Sequence, residues 1–422
     1  MNEDPIKVLS VCTSDSVGGA SRAAYRIHQG VRGLGVQSRM LVKYKQTTDP
    51  DVIALDAFAP KCSFYKAFDW AREKGKNKLQ HLRWSRYAGH ESVFMSDLRG
   101  VDLHGALEKL NYDVLHLHWI NLRFVSLSDL PKGKPLVWTL HDSWPFCGVC
   151  HSFFDCEGFK KECGCCPQLR SSNPNDLSHK IWKRKSECYK DMDLHIVCPS
   201  QWLADSVRQS SLFGGFPITV IPNCLDVDVF RPFDQENKNE KQVVLFGAIK
   251  AIQDKRKGFD KLLSALRLLE HSEHKNDFEV VVFGAAESEL NVDLDIPIHC
   301  VGLLDNTEEL VSLYSKANVM VVPSLSEVFG QTASEAMACG TPVVAFRCTG
   351  IQEVVDHKVN GYLARPFEPE DLANGILWCL NNNEGNMLGK AAREKVLREY
   401  AMEKVGGQYK ELYESINNHH QS

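Results

Sequence analysis

The chain has 422 residues, 49 Lys plus Arg against 54 Asp plus Glu for a formal charge of −5, and 15 cysteines. That length suggests two or three domains of ordinary soluble composition, and the slightly acidic balance argues against nucleic acid as a partner. No apolar run reaches the ~18–20 residues of a membrane span, the start MNEDPIKVLSVC reads as a strand rather than a signal peptide, and cysteines within apolar runs (Cys12, Cys198, Cys300) fit buried thiols of a reducing cytosol.

In chain order, Ile6 to Cys12 is a short apolar run without helical period, read as a buried parallel strand. It leads to Gly18 and Gly19, which precede an amphipathic helix ending near Gly33–Gly35. A strand, a glycine turn and a helix let backbone approach a phosphate or a sugar, although a plain βα turn looks the same. Between Lys61 and Arg86, eight Lys or Arg face only Asp69 and Glu73, interleaved with Phe64, Tyr65, Phe68, Trp70, Trp84 and Tyr87. Such a segment rests on an anionic membrane surface or forms a helical excursion over its own domain.

Tyr112 to Trp119 enters a strand that sets His116 and His118 on one face. With no third ligand nearby, the pair suits a core or an acceptor cleft better than a metal. Leu136 to His141 is the next strand, and His141-Asp142 lie just past its end, where open α/β sheets place ligands. A structural histidine is the alternative. Directly afterwards WPFCGVCHSFFDCEGFKKECGCCPQL carries Cys147, Cys150, Cys156, Cys163, Cys165, Cys166 and His151. The spacing Cys150-x5-Cys156-x6-Cys163-x2-Cys166 offers four thiolates, the set that structural zinc prefers; free thiols or a redox disulfide are the other readings. A polar helix over about 175–192, a strand and helix in LHIVCPSQWLADSV, and a strand at Ile218–Ile221 complete the first half, and a polar linker spans Asp234 to Lys241.

The second half opens with a strand at Val243–Phe246, after which Arg256, Lys257 and Gly258 precede an amphipathic helix. A basic run on a loop is usually solvated, but at a strand end it can grip an anion. Phe278–Phe283 and Ile298–Val301 continue the alternation of strand and helix. In VVPSLSEVFGQTASEAMACGTPVVAF a strand ends at Pro323, a helix of small residues starts near Gln331, and Gly340 and Pro342 stop it before another strand. Glu327 and Glu335 frame the middle, and Gly330, Gln331 and Thr332 point backbone N–H groups off the helix N-terminus, a seat for phosphate.

This E-x7-E pair, with Pro-Ser before it, Phe-Gly inside it and Ala-Cys-Gly-Thr-Pro-Val after it, resembles the signature of retaining glycosyltransferases of the family-4 type. The likeness covers nearly the whole chain and is strongest from Lys257 to Gly361. It implies an α/β protein of two doubly wound Rossmann-like domains facing across a cleft, the GT-B architecture. Residues 1–222 would form the acceptor-side domain with the Cys-rich insert 147–166, residues 223–385 the nucleotide-sugar domain, and residues 386–422 a helix packing back on the first.

The resemblance further implies that Glu335 holds the donor ribose, and that Lys257, Arg256 and the amides of Gly330, Gln331 and Thr332 hold the diphosphate. Gly18 and Gly19 would face the donor phosphates and the acceptor, while His141 and Glu327 reach the transferred sugar. Backbone at Gly302–Asn306 would read the base. Two positions depart from the pattern: Cys224 stands where the interdomain hinge usually has glycine, and Ala248 where an Arg usually follows the strand-end glycine, with Arg256 as the substitute charge. The implied reaction transfers a sugar from a nucleotide-sugar to a saccharide or lipid-linked saccharide hydroxyl with retention, by same-face attack, without a divalent ion or other catalytic cofactor. The implied location is cytoplasmic, at the inner face of the cytoplasmic membrane if the basic segment binds there. A similar cysteine insert occurs in a subset of bacterial polysaccharide glycosyltransferases, which supports the module as a unit. A nucleotide-sugar 2-epimerase on a similar scaffold and a non-catalytic nucleotide-sugar-binding or scaffold protein are the alternatives.

Overall fold

Strands such as KVLSVCTS and QVVLFG carry apolar residues at consecutive positions, so both faces must be covered, which parallel sheets flanked by helices provide. The computed structural model describes residues 4–58, 84–89, 100–101, 103–233, 241–290, 292–304 and 306–421. Two sheets result. Lys7–Ser14 (β1), Gln37–Tyr44 (β2), Val52–Ala54 (β3), Val114–Leu117 (β4), Leu136–Thr139 (β5), Leu194–Cys198 (β6) and Ile218–Val220 (β7) pair in the order β3-β2-β1-β4-β5-β6-β7. Gln242–Gly247 (β8), Phe278–Phe283 (β9), Ile298–Gly302 (β10), Val319–Val322 (β11), Val343–Phe346 (β12) and Gly361–Ala364 (β13) pair as β10-β9-β8-β11-β12-β13. Every pairing between these strands is parallel. Counted from its own first strand, each sheet starts with the order 3-2-1-4-5-6, the doubly wound Rossmann pattern.

That order creates a switch point in each sheet, between β1 and β4 in one and between β8 and β11 in the other. Chain leaves neighbouring strands in opposite directions there and opens a crevice at their carboxyl ends. In the second sheet, alternate residues feed two cores. Val244, Phe246, Val319 and Val321 join Leu262, Leu266 and Ile376 on one face. Val243, Leu245, Met320 and Val322 join Tyr314, Ala333 and Met337 on the other. Each such Val, Leu or Met contributes about 1.5–3 kcal/mol on burial, so the sheet is held rigidly under whatever its end loops do.

The chain divides into two units, Met1–Cys198 with Ala204–Val220 and Lys410–Ser422, and Pro199–Leu203 with Ile221–Tyr409. The final helix, Met402–Gln421, therefore has its last stretch in the first unit. Cys224, the hinge departure, lies outside the left-handed region and is buried, so this turn does not need glycine. Next to it, Leu225 donates its N–H to the Tyr400 carbonyl at 2.8 Å.

Most of the basic aromatic segment, and the polar linker up to residue 240, lie outside the described residues. Its end is described: Trp84 is buried, and half-buried Tyr87 accepts the Leu177 N–H at its hydroxyl at 3.0 Å, so these two aromatics pack against the first unit. Among the described residues no helix is long and apolar enough to cross a membrane.

Candidate functional site

The second unit assembles its site at the switch point. The loop after β8 ends in a short turn, Lys255–Lys257, capped by the Asp254 carboxylate, which accepts the Arg256 N–H at 3.0 Å. Gly258 follows in the left-handed region, and a Cβ there would lie 1.9 Å from the Pro323 carbonyl oxygen. Only glycine allows the two loops to touch so closely. Across that contact Leu325 N–H donates to the Arg256 carbonyl at 2.8 Å.

The clamp sets Lys257 Nζ 2.6 Å from Glu327 Oε1, and both side chains are partly open to solvent. Ser324 Oγ also donates to Glu327 Oε1, at 3.1 Å, while the Glu327 N–H donates to Thr349 Oγ1 and its carbonyl accepts the Gly350 N–H. Glu327 is thus held at both backbone and side chain. Arg256, expected to face a diphosphate, forms a two-pronged pair with Asp254, Nε to Oδ1 at 3.0 Å and Nη2 to Oδ2 at 2.7 Å. Burial raises the Asp254 pKa, and the Arg256 bonds more than reverse this, leaving it below the ordinary value.

Three residues beyond Glu327, Gly330 starts the helix Gln331–Ala338 with φ 104° and no side-chain cap. A Cβ on it would stand 3.0 Å from Ile351 Cγ1. Gly330 brings no capping side chain of its own to the helix N-terminus at Gln331 and Thr332, an electropositive end suited to an anion. Glu335, one turn in, is buried, and its Oε2 accepts the Tyr314 hydroxyl at 3.2 Å. Glu327, Gly330, Gln331, Thr332 and Glu335 thus share the loop and helix after β11, and Lys257 reaches them from the loop after β8. Ser324 belongs to the Pro-Ser of the signature, whereas Asp254, Tyr314 and Thr349, which also complete their bonding, carry no sign of their own in the sequence pattern. Only Thr349, at φ 53° after a strand, belongs to a loop that the strand pattern marks as special.

In the first unit, Gly18 adopts φ 88° and ψ 164° as the residue before the helix Gly19–Gly33, and no atom lies within 4 Å of where its Cβ would be. The turn is open at the end of β1. His141 lies two residues past β5, and its Nε2 shares a hydrogen bond with His118 Nδ1 at 3.1 Å. The His116 and His118 rings lie 4.0 Å apart between centroids, tilted by 44°, and His116 Nε2 meets Thr139 Oγ1 at 2.8 Å. Burial lowers all three pKa values, His116 to about 3, His141 to about 4 and His118 well below its ordinary value, so the cluster is neutral at pH 7. Asp142 turns the other way: its Oδ2 takes Trp119 Nε1 at 2.8 Å and His151 Nδ1 at 2.6 Å.

The cysteine insert folds beside this cluster. Cys147, Cys150, Cys156, Cys163 and Cys166 line one cavity of about 10 Å³ with Phe153 and Phe159. Cys165 is exposed, its Sγ 3.3 Å from the Ser172 carbonyl, and His151 is engaged by Asp142. Among the described residues no three His, Cys, Asp or Glu side chains already stand around one point as metal ligands.

Comparison with known proteins bears on both units. Residues 17–229 match the profile of the family described as Glycosyltransferase Family 4, and residues 228–395 that described as Glycosyl transferases group 1. A D-inositol 3-phosphate glycosyltransferase of Catenulispora acidiphila is 28% identical over 63% of this chain and 63% of its own length. The putative colanic acid biosynthesis glycosyl transferase WcaC of Escherichia coli K12 is 34% identical over 28% of this chain and 31% of its own. The matched stretch is less than two thirds of the length of each of these curated relatives. Among solved structures, sucrose-phosphate synthase from Thermosynechococcus elongatus has a TM-score of 0.62 at 20% identity, over 97% of this chain and 99% of the other. HepE of Anabaena, solved with UDP and glucose, has a TM-score of 0.60 at 18% identity, over 97% of this chain and 100% of the other. At such identities these structures bear on the fold alone, and the fold is GT-B.

Proposed function

This chain belongs to glycosyltransferase family 4, and we propose that it moves a sugar from a nucleotide-sugar onto an acceptor hydroxyl with retention at the anomeric carbon, in polysaccharide or glycolipid assembly. The observation that carries this reading is the Lys257–Glu327 pair, 2.6 Å apart, bridging the loops after β8 and β11 next to a helix N-terminus whose capping residue is Gly330. A departing nucleoside diphosphate gains negative charge. An ammonium and a row of amides held rigid beforehand stabilise that charge without reorganising. Glu327 aims Lys257, and its carboxylate would give an electron-poor anomeric carbon a negative neighbour. Glu335 would accept the ribose hydroxyls in place of the Tyr314 hydroxyl. His141, neutral at pH 7, can exchange one hydrogen bond with a sugar hydroxyl while His118 fixes its other side. Same-face attack, with the leaving phosphate taking the acceptor's proton, is the retaining route we adopt.

HepE was solved with UDP-glucose as well, which makes UDP the first nucleotide to try here. A thermal-shift panel of nucleoside diphosphates should show one that raises the melting temperature, since a ligand binding only the folded state stabilises it by mass action. Incubation with the matching nucleotide-sugar should then release free sugar and nucleoside diphosphate slowly. Stabilisation by none of the diphosphates, or conversion to an isomeric nucleotide-sugar, would overturn the reading. For the acceptor we propose a saccharide or lipid-linked saccharide at the cytoplasmic face of a membrane, on the basic residues between Lys61 and Arg86. Sedimentation with anionic vesicles that weakens with salt, screened over about 8 Å at physiological ionic strength, supports it. Equal recovery from neutral and anionic vesicles at low salt counts against it.

A further inference from the structure

The five sulfurs around the insert's cavity are not equivalent. Cys147, Cys150 and Cys166 are buried and Cys156 and Cys163 half-buried, and the Cys156 sulfur accepts the Gly158 N–H at 3.4 Å. Cys147 lines the same cavity, and its carbonyl accepts from Lys185 Nζ at 2.8 Å. Amides aimed at sulfur stabilise a thiolate and do little for a thiol.

A second observation asks for negative charge at the same place. Lys185 is wholly buried, with Nζ donating to the carbonyls of Trp144, Cys147 and Gly148 and lying 3.8 Å from the Trp144 ring centroid. Its charge interacts with Cys147, Cys150 and Cys163, and with Asp142, which His151 and Trp119 already engage. A buried ammonium held by carbonyls alone is costly; an anionic centre beside it removes that cost. The backbone also bends toward the cavity. Cys163, Gly164 and Cys165 follow one another at φ 56°, 93° and 44°, which brings Cys163 and Cys166 to the same cavity while Cys165 points out.

We propose that this insert is a structural zinc site, with Cys150, Cys156, Cys163 and Cys166 as the four ligands, Cys147 remaining a thiol beside them, and Lys185 offsetting one of the centre's two negative charges. The sulfurs line the cavity without yet converging, and rotation about χ1 is the one adjustment that a cysteine has to close on an ion. Binding replaces four S–H bonds with four S–Zn bonds, and the protons leave to solvent. Four protein ligands leave no place for water, so the ion holds the insert and takes no part in sugar transfer.

Elemental analysis of the full chain, purified under reducing conditions without chelator, should find about one zinc per chain. Cys150→Ser, Cys156→Ser, Cys163→Ser and Cys166→Ser should each lose it, whereas Cys147→Ala and Cys165→Ser keep it. Because the serine variants can fail to fold, the wild-type chain is also stripped with chelator and reloaded with cobalt(II), when thiolate-to-cobalt charge-transfer bands should appear and vanish on adding zinc. Less than a tenth of an equivalent of zinc together with no cobalt bands overturns the proposal. Loss of metal in Cys147→Ala with retention in Cys156→Ser overturns the ligand set.

Discussion

The Tyr413 hydroxyl lies 2.7 Å from His116 Nδ1, both side chains buried, which ties the last helix of the chain to the histidine cluster of the first unit. Lys410 Nζ adds a bond to the Leu34 carbonyl at 3.0 Å. Tyr413→Phe removes the hydroxyl and leaves a buried ring nitrogen short of that partner, at a cost of about 1–3 kcal/mol. Urea denaturation should show an earlier midpoint with an unchanged slope. An unchanged midpoint would mean that the bond contributes nothing net.

The same cluster makes stability depend on pH. His116 and His141 titrate near 3 and 4 in the folded protein, both lowered by burial, against about 6.5 when unfolded. Between those values the unfolded chain binds more protons than the folded one. The stabilisation is therefore complete above pH 6.5 and is lost as pH falls toward 4, by up to about 1.4 kcal/mol per pH unit for each histidine. His141→Asn, which keeps a hydrogen bond for His118, should flatten the decline between pH 6.5 and 4.5. Identical pH profiles for the variant and the wild type would contradict a buried neutral His141.

What could be read from the sequence was whatever depends on local pattern. β8 to β12, the helix at Gln331 and the stop at Gly340 follow from runs of β-branched residues broken by glycine and proline. β2 and β3 were not read, because QSRMLVKY mixes charged and apolar residues and is buried mainly in its middle. Lys257 and Glu327 were both named, but their pairing depends on Gly258 pressing against Pro323, a contact between loops that only the sheet order brings together. Arg256 was given a diphosphate; its two bonds to Asp254, two residues earlier, have no signature in a polar loop. Tyr413 and His116 are 297 positions apart, and neither carries a local sign of the other.

Gly258 should tolerate no side chain. Its left-handed backbone alone costs an L-residue about 1–2 kcal/mol, and a Cβ would stand 1.9 Å from the Pro323 carbonyl oxygen. Gly258→Ala should therefore part the two loops, lower thermal stability and weaken nucleotide binding together. Gly133→Ala, also at positive φ but with nothing within 4 Å of the new Cβ, supplies the backbone cost without the clash. Equal losses in the two variants would show that the close approach to Pro323 is not what matters.

The three charged groups of the second unit should separate by what they touch. Lys257 is aimed by Glu327 and faces the diphosphate both before and during departure, so Lys257→Ala should raise Kd for the nucleotide and lower kcat as well. Each lost charged hydrogen bond costs roughly 1.5–3 kcal/mol, or about tenfold to a hundredfold. Glu335 is buried under the helix and held by Tyr314, so Glu335→Ala should weaken nucleotide binding with a smaller effect on bound turnover. Glu327→Ala should lower turnover more than affinity, since it removes the carboxylate near the sugar while Lys257 remains. Its loss also frees Lys257 from a 2.6 Å partner, which leaves the ammonium more available to the ground-state diphosphate and keeps affinity from falling. Calorimetric titration with the nucleoside diphosphate, paired with donor hydrolysis at saturation, separates the two effects. Wild-type turnover in Lys257→Ala would remove the site from this loop altogether.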